Sequence, residues 1–438
     1  MSSAAQPALR RALGRWDLTA IGINQVIGGA IFLMPSQLAA RVGNWGPLAF
    51  LAVGFASLLV ALCFAEVGSR FEGTGGPYLY TRAAFGRFAA FEVGWMQWFT
   101  RVASYASIAN GIALALGFYW PAMTKGWSRT LMLMVLMGTL AFVNVRGIRQ
   151  SAWTINILTV GKLVPLGIFI VVGLFFLDPG RLSPLPPLSW ESASAAALLL
   201  IFIYGGYDVV PVPAGEANDP RRHVPFALIA TIVAVTAVMT AAQVVAMGTN
   251  PGLKASATPL ADSAFLFMGG VGALLIGVGS VVSMTGNNAG QVLTGSRMLF
   301  ALAENGELPR FFGKIHPVYR TPSNAVLFTS GVAFILAVSG SFVWLAMASA
   351  VARLVTYTAS SASTLVLRQP RFVGRVNPAT FIIPFGPVVP CLGILVSMAI
   401  LAGASTEQLV GGLGALAAGA ALFAVNNRGK AAGRRLKV

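Results

Sequence analysis

The sequence predicts an all-α polytopic membrane protein with about twelve spans. Two of the spans are discontinuous, and they sit at the first and sixth positions. Three observations carry this. Of 438 residues, 56% are hydrophobic and only 10% charged, with a mean hydropathy of +0.76; a soluble domain carries about 25% charged residues. The apolar residues fall into runs long enough to cross a bilayer, which needs roughly 20 residues per helix. Two of these runs are interrupted by glycines at corresponding places. One reads Ile27-Gly28-Gly29-Ala30-Ile31-Phe32 and the other Tyr204-Gly205-Gly206-Tyr207-Asp208.

Taken in order, the expected spans are 17–41, 46–69, 88–117, 128–145, 151–177, 193–214, 224–248, 270–299, 324–340, 342–366, 380–403 and 407–425. The first follows a basic segment as a signal peptide would. It is too long for one and lacks an A-x-A site before the next span, so it is retained as a transmembrane helix. Between spans seven and eight, the stretch from Lys254 to Phe267 holds Thr258-Pro259-Leu260 and is expected to form a short lid helix. Ser339-Gly340-Ser341 gives a very short turn between spans nine and ten. The two breaks allow spans one to five (17–177) to be laid over spans six to ten (193–366) as an inverted repeat. Two further helices (380–425) follow, with short tails at 1–16 and 426–438. No charged or low-complexity run is long enough for a soluble domain.

The formal net charge is +17, a value that in a soluble chain would point to nucleic acid. Its distribution excludes that. Of the 30 Lys and Arg, 22 fall at the termini and in alternate loops, five in the other loops, and three (Arg101, Lys162 and Arg353) inside apolar spans. This is the positive-inside bias. It predicts both termini in the cytoplasm and an even number of spans, and it makes the basic C-terminal tail a topology anchor near anionic lipid. The two cysteines, Cys63 and Cys391, lie in separate spans and form no disulfide framework. His223 and His316 stand alone in separate loops, so neither a metal nor a cofactor is expected.

A helix in lipid must satisfy its own backbone, so a mid-membrane break is tolerable only where the freed groups face a cavity or a ligand. Paired breaks in two halves point to the substrate site of an inverted-repeat transporter. At the first break, exposed amides and the positive end of the outgoing half-helix suit a carboxylate; the competing reading is a helix-packing patch of small residues. At the second, carbonyls near Phe202 and Gly205 suit an ammonium group. Phe202, Tyr204 and Tyr207 would wall or gate the site, or simply pack. Asp208 is an intramembrane carboxylate and needs a partner or a proton. Lys162, eleven residues into span five, lies roughly 16 Å deep. An ammonium there is costly to bury, so it either exchanges protons or is held in a static pair with Asp208 or with carbonyls. Arg101 and Arg353 are also deep by the same count and each needs a partner; structural roles are the expectation for both, with Arg101 placed to pair with Asp208 or approach the substrate. Glu66 and Glu92 fall near wetted span ends. Gly73-Thr74-Gly75-Gly76 lacks the Lys-Ser/Thr of a phosphate loop.

At these residues the chain resembles the amino acid–polyamine–organocation (APC) superfamily of transporters over roughly residues 14–425. Ile27 to Phe32 resembles its G-S/T/A-G-I-F break. Gly75-Gly76-Pro77-Tyr78-Leu79-Tyr80 resembles G-G-x-Y-x-Y. Gly205-Gly206-Tyr207-Asp208, Ala214-Gly215-Glu216 and Asp219-Pro220-Arg221-Arg222 together resemble G-F-E…A-x-E…N-P-x-R. The run Ser296 to Gly306 with Leu308-Pro309 and His316-Pro317 resembles S-R-x-L-Y-A-M-A-R-D-G-x-L-P…H-P. The resemblance implies a LeuT-like five-plus-five inverted repeat plus two helices, with an α-amino acid bound between helices 1 and 6. It implies that the amides of Gly28, Gly29 and Ala30 hold the carboxylate and that the carbonyls of Val26, Phe202 and Gly205 hold the amine. It also implies that Lys162 fills the place of a sodium ion, as in proton-dependent members. Ala30 stands where a glycine is usual, and Tyr207-Asp208 replaces Phe-Glu.

The expected function is therefore secondary active transport of an amino acid across the plasma (inner) membrane, coupled to protons through Lys162 and Asp208. Its alternative is an exchanger or exporter with Lys162 as a fixed charge. An intramembrane enzyme is disfavoured because no nucleophilic triad or metal constellation lies at membrane depth, and a non-transporting sensor because no signalling domain is visible. Small residues dominate the breaks and no acid besides Asp208 is placed to receive a cation, so a neutral amino acid is the expected substrate. Its partners are then the amino acid, the proton and the lipid bilayer.

Overall fold

The computed structural model describes residues 8–117, 120–339 and 342–435. Gly340-Ser341 of the expected turn and the outermost parts of both expected tails lie outside them. The chain is built of helices, and their polarity is inverted relative to a water-soluble fold. Phe55, Val135, Val160, Val233, Val278 and Leu395 are exposed, whereas Asn24, Lys162, Asp208, Ser283 and Asn287 are buried. Lipid accepts the apolar exterior, and charged and polar groups must then find partners inside.

The first break divides α1 (Arg15–Val26) from α2 (Met34–Val42). Then come α3 (Gly46–Gly68), α4 (Pro77–Phe85), α5 (Arg87–Gly117), α6 (Gly126–Arg146) and α7 (Ile148–Leu174). The second break follows α8 (Trp190–Tyr204), and α9 (Pro220–Thr249) and α10 (Pro259–Glu304) come after it. The chain closes with α11 (Ser323–Ser339), α12 (Phe342–Leu367), α13 (Val388–Ala402) and α14 (Thr406–Arg435). Among the described residues, six helical stretches are long and apolar enough to cross a membrane, and α8, α11 and α13 carry shorter apolar segments. α1 lies against α7, α9 and α10, while α5 packs on α10 and α12. The first break is thereby held in the centre of the bundle.

Several elements differ from expectation. The sixth span, expected to run to 214, is helical only to Tyr204; beyond it the chain makes single 3₁₀ turns at Tyr207–Val209 and Ala214–Glu216. Gly206 at φ +132° and Pro211 and Pro213 account for this, since neither residue type sustains a helix interior. The eleventh span begins at Val388 rather than 380, after the proline- and glycine-containing stretch 378–387. The expected lid helix exists as the first part of α10, set off by non-helical Gly269 (φ 64°, ψ −157°). α4 has no counterpart among the expected spans. Gly76, at φ +44°, turns the chain into Pro77, and Gly75 donates its amide to Val212 O at 2.9 Å. The Gly-Gly-x-Tyr segment is thus stitched to the end of the second break.

Glu66 and Glu92 are both buried rather than wetted. Glu66 is clasped by Arg368 and also accepts the Ile383 amide at 2.8 Å. Glu92 faces Gly419 of α14, where an added Cβ would come within 2.7 Å of its carboxylate. Arg297, at the end of the eighth expected span and counted with the cations of the termini and alternate loops, is fully buried within α10.

Candidate functional site

At the first break, α1 ends with Ile27 donating to Ile23 O, and Gly28 donates to Val26 O at 3.0 Å. Phe32 and Leu33 then close a 3₁₀ turn on Gly29 O and Ala30 O. The amides of Gly29, Ala30 and Ile31 have no acceptor among the described residues. The donors free at this break are therefore 29 to 31, with Gly28 committed to the bend. Gly29 and Ala30 are half-buried and Gly28 is buried. A Cβ at Gly29 would lie 3.2 Å from Met284 Cγ, and one at Gly28 3.1 Å from Asn287 Nδ2.

Most carbonyls released by the break are already occupied. Lys162 Nζ donates to Asn24 O (3.1 Å), Ile27 O (2.6 Å) and Ser283 O (3.2 Å), which uses all three ammonium protons. The single Ser283 hydroxyl proton lies within reach of Ile27 O (3.1 Å) and Gly28 O (2.9 Å), and Asn287 Nδ2 donates to Asn24 O and Gln25 O. Val26 O receives only the Gly28 amide, so it keeps acceptor capacity.

The second break sits directly on the first. A Cβ at Gly206 would lie 2.8 Å from Gln25 O and 3.3 Å from Val26 N. Only glycine permits both this approach and the positive φ. The Gly206 amide donates to Tyr357 Oη at 3.4 Å, and Gly205 O accepts no hydrogen bond from the described residues. The Phe202 carbonyl belongs to the last turn of α8, and its side chain lies outside the described residues. Tyr204 turns away to α3, donating to Phe50 O at 2.9 Å. Tyr207 is buried in an aromatic cluster, stacked on Tyr357 with centroids 5.3 Å apart and edge-on to Phe64.

Asp208 and Lys162 belong to different groupings. Asp208 Oδ2 accepts from Arg101 Nη2 and Gln97 Nε2, each at 3.3 Å, and Oδ1 accepts from Tyr357 Oη at 3.3 Å. The pairing of Asp208 with Arg101 matches one expectation. The alternative pairing with Lys162 is not seen, since that ammonium is held by carbonyls. Arg353 lies across Gly205, where an added Cβ would be 2.2 Å from its Nη1.

Sequence reasoning missed the polar stripe of α10. Ser283, Asn287 and Gln291 recur every four residues, which places them on one helix face, and all three are buried. Gln291 Nε2 donates to Asn287 Oδ1, and Gln25 Nε2 reaches Asn287 O. Asn24 Oδ1, Gln25 Oε1, Gln291 Oε1 and both polar atoms of Asn288 are buried without a partner among the described residues. The available signal was this four-residue spacing of polar residues in an otherwise apolar span. Buried polar groups left open in this way suit a site that a polar ligand or water completes.

The chain is similar to curated transporters along most of its length. It is 28% identical to the methylthioribose transporter of Bacillus subtilis (strain 168), covering 88% of this chain and 86% of that protein. It is 26% identical to the branched-chain amino acid permease BcaP of the same organism, over 90% and 88%. It is 28% identical to the serine/threonine exchanger SteT, also from B. subtilis, over 90% and 91%. Residues 13–410, which contain both breaks, Lys162 and the polar stripe of α10, match the family described as amino acid permease, and the chain belongs to that family.

Proposed function

We propose that this protein is a secondary active transporter that moves an amino acid by alternating access, coupled to protons. The observation that carries this is the contrast between filled and open groups at the first break. The cation position is filled by the Lys162 ammonium on three carbonyls, while three amides at 29–31 and the Val26 carbonyl remain open. A carboxylate suits the amides, and an ammonium suits Val26 O with Gly205 O and Phe202 O. Lys162 can serve as a coupling group because its contacts are all to the broken helix and to α10, so losing its proton loosens the bend itself. Asp208, tied to Arg101, is the second titratable group of the proposed cycle. Its engagement leaves no acid for a cationic side chain, which supports a substrate that is not cationic.

The proposal includes a plasma-membrane location, cytoplasmic termini and twelve spans arranged as five plus five plus two. The positive-inside bias and the paired breaks support it. A second reading, obligate exchange with Lys162 as a fixed charge, is favoured by the complete satisfaction of that ammonium. Labelled amino acid uptake into proteoliposomes separates the two. Concentrative uptake into empty vesicles under an inward proton gradient, without sodium, is expected. Uptake only into vesicles preloaded with amino acid would favour exchange. No flux of any amino acid would overturn both.

A further inference from the structure

Between α6 and α7 the chain makes a basic elbow that the transport cycle does not use. Gly147 alone separates the two helices, and both are long and apolar enough to cross a membrane. The elbow therefore lies at a membrane surface. It borders a cavity of about 470 Å³ whose lining includes Arg10, Arg146, Arg149, Phe142, Val318 and Tyr319, and no Asp or Glu is among its described lining residues. None of the three arginines forms an ion pair among the described residues. The remaining residues of the chain contain no Asp or Glu that could supply one. Arg146 is fixed rather than loose in water. Its Nη1 donates to Tyr319 Oη at 3.0 Å, and its guanidinium lies over the rings of Phe142 and Tyr319, 5.0 and 5.6 Å from their centroids. Its other donors have no acceptor among the described residues. α7 starts beside it without a side-chain cap, and the amides of Ile148, Arg149 and Gln150 have no acceptor among the described residues. Such a helix end favours an anion. A topology signal requires only charge; it requires neither a cavity nor a guanidinium pinned between rings.

We infer that this elbow binds an anionic phospholipid, with the headgroup phosphate on Arg10, Arg146, Arg149 and the first amides of α7. The planar guanidinium fork matches phosphate oxygens, and an anionic leaflet supplies such headgroups at the membrane surface. Three uncompensated cations favour a headgroup of net negative charge over one whose phosphate is already balanced by choline. The apolar surroundings select a lipid over a free phosphate. Phe142 and Val318 are exposed at the cavity, and Trp153, Ile157, Val160 and Val164 are exposed along one face of α7. Trp153 stands five residues into α7, roughly 8 Å along the helix, at a depth that suits an interfacial aromatic. An acyl chain anchored at the elbow would run along this face, which a free phosphate would leave unused. Binding here is independent of which solute the protein carries.

The test is native mass spectrometry of the full-length protein released from nanodiscs of equal parts phosphatidylglycerol and phosphatidylcholine. The wild type should retain phosphatidylglycerol in preference to phosphatidylcholine. Arg10→Gln/Arg149→Gln should cut that preference about tenfold or more, since each basic residue at an anionic surface contributes about fivefold. Arg371→Gln, which removes an exposed arginine from the segment between α12 and α13, should leave the preference intact. Equal retention of the two lipids by the wild type would overturn the inference, and so would an unchanged preference in the double variant. A loss in Arg371→Gln as large as in the double variant would also overturn it, because surface charge at large would then hold the lipid. Displacement of phosphatidylglycerol by millimolar inorganic phosphate would overturn the lipid assignment in favour of a free anion. Should the double variant fail to fold, Arg149→Gln alone removes an exposed side chain with no hydrogen-bond partner among the described residues and should cut the preference about fivefold.

Discussion

Arg297 closes on Glu216 through two hydrogen bonds, Nε to Oε2 at 2.8 Å and Nη2 to Oε1 at 3.1 Å, with both side chains fully buried. The Glu216 carbonyl also accepts the amides of Ala12 and Leu13, and Leu13 O accepts the Asn218 amide. One contact thus binds α10, the end of the second break and the segment before α1. Any movement that separates α10 from the second break must part this pair or carry it along.

Removing one partner leaves the other charge buried and uncompensated, at a cost of about 3–5 kcal/mol. Arg297→Met should therefore lower the thermal midpoint of the detergent-purified protein sharply. The double variant Arg297→Met/Glu216→Leu should recover a substantial part of the loss, because no lone charge remains. An unchanged midpoint in the single variant would mean that water reaches the pair.

The long apolar helices and both breaks were legible because lipid imposes long apolar runs, and glycine pairs inside such runs are local signals. Much of what escaped depended on partners distant in sequence. Glu66 is buried because Arg368, at the end of α12, closes over it. Glu92 is covered by Gly419 of α14. Arg297, at the end of the eighth expected span, is buried because Glu216, from the end of the second break, pairs with it. Gly28 as a carboxylate donor followed from motif position, and only the turn geometry reveals its amide donating to Val26 O. α4 is nine residues of mixed aromatic and polar character, too short to announce itself by periodicity.

Gly206 should be the least replaceable glycine of the second break. A methyl group there would meet the Gln25 carbonyl at 2.8 Å, and backbone cannot swing aside as a side chain can. The φ of +132° adds strain for any L-residue. Gly206→Ala should cost about 1–3 kcal/mol of stability and abolish uptake. At Gly205 the nearest atoms an added Cβ would meet belong to the movable Arg353 side chain, so Gly205→Ala should cost less stability. Thermal midpoints and uptake profiles of the two variants check this; equal stability losses would count against it.

Gly29→Leu tests the carboxylate site without touching a buried charge. The added side chain would project beside Met284 and screen the amides of residues 29 to 31. Amino acid binding should weaken by more than about tenfold, worth about 1.4 kcal/mol or more, while the monodisperse protein keeps its helical signal. Normal binding and transport by this variant would put the substrate elsewhere.

Lys162→Ala separates a coupling group from a structural one. The wild-type ammonium bridges Asn24 O and Ile27 O of the bent helix to Ser283 O of α10. Three buried carbonyls lose the ammonium in the alanine variant, although Asn24 O keeps Asn287 Nδ2 and Ile27 O lies beside the Ser283 hydroxyl, so some loss of stability accompanies either role. The distinguishing readout is the driving force. If Lys162 carries the proton, the variant should lose accumulation driven by a proton gradient yet retain exchange of substrate between the two sides, because the amides at 29–31 and Val26 O are untouched. Wild-type uptake should be indifferent to sodium, since the ammonium already occupies the position where a cation would meet these carbonyls. Undiminished gradient-driven accumulation by Lys162→Ala, or strict sodium dependence of the wild type, would sink the coupling role. A variant that cannot be recovered folded, together with a Lys162→Arg variant that folds and accumulates substrate normally, would assign Lys162 to holding the bend, because arginine supplies the fixed charge without releasing a proton.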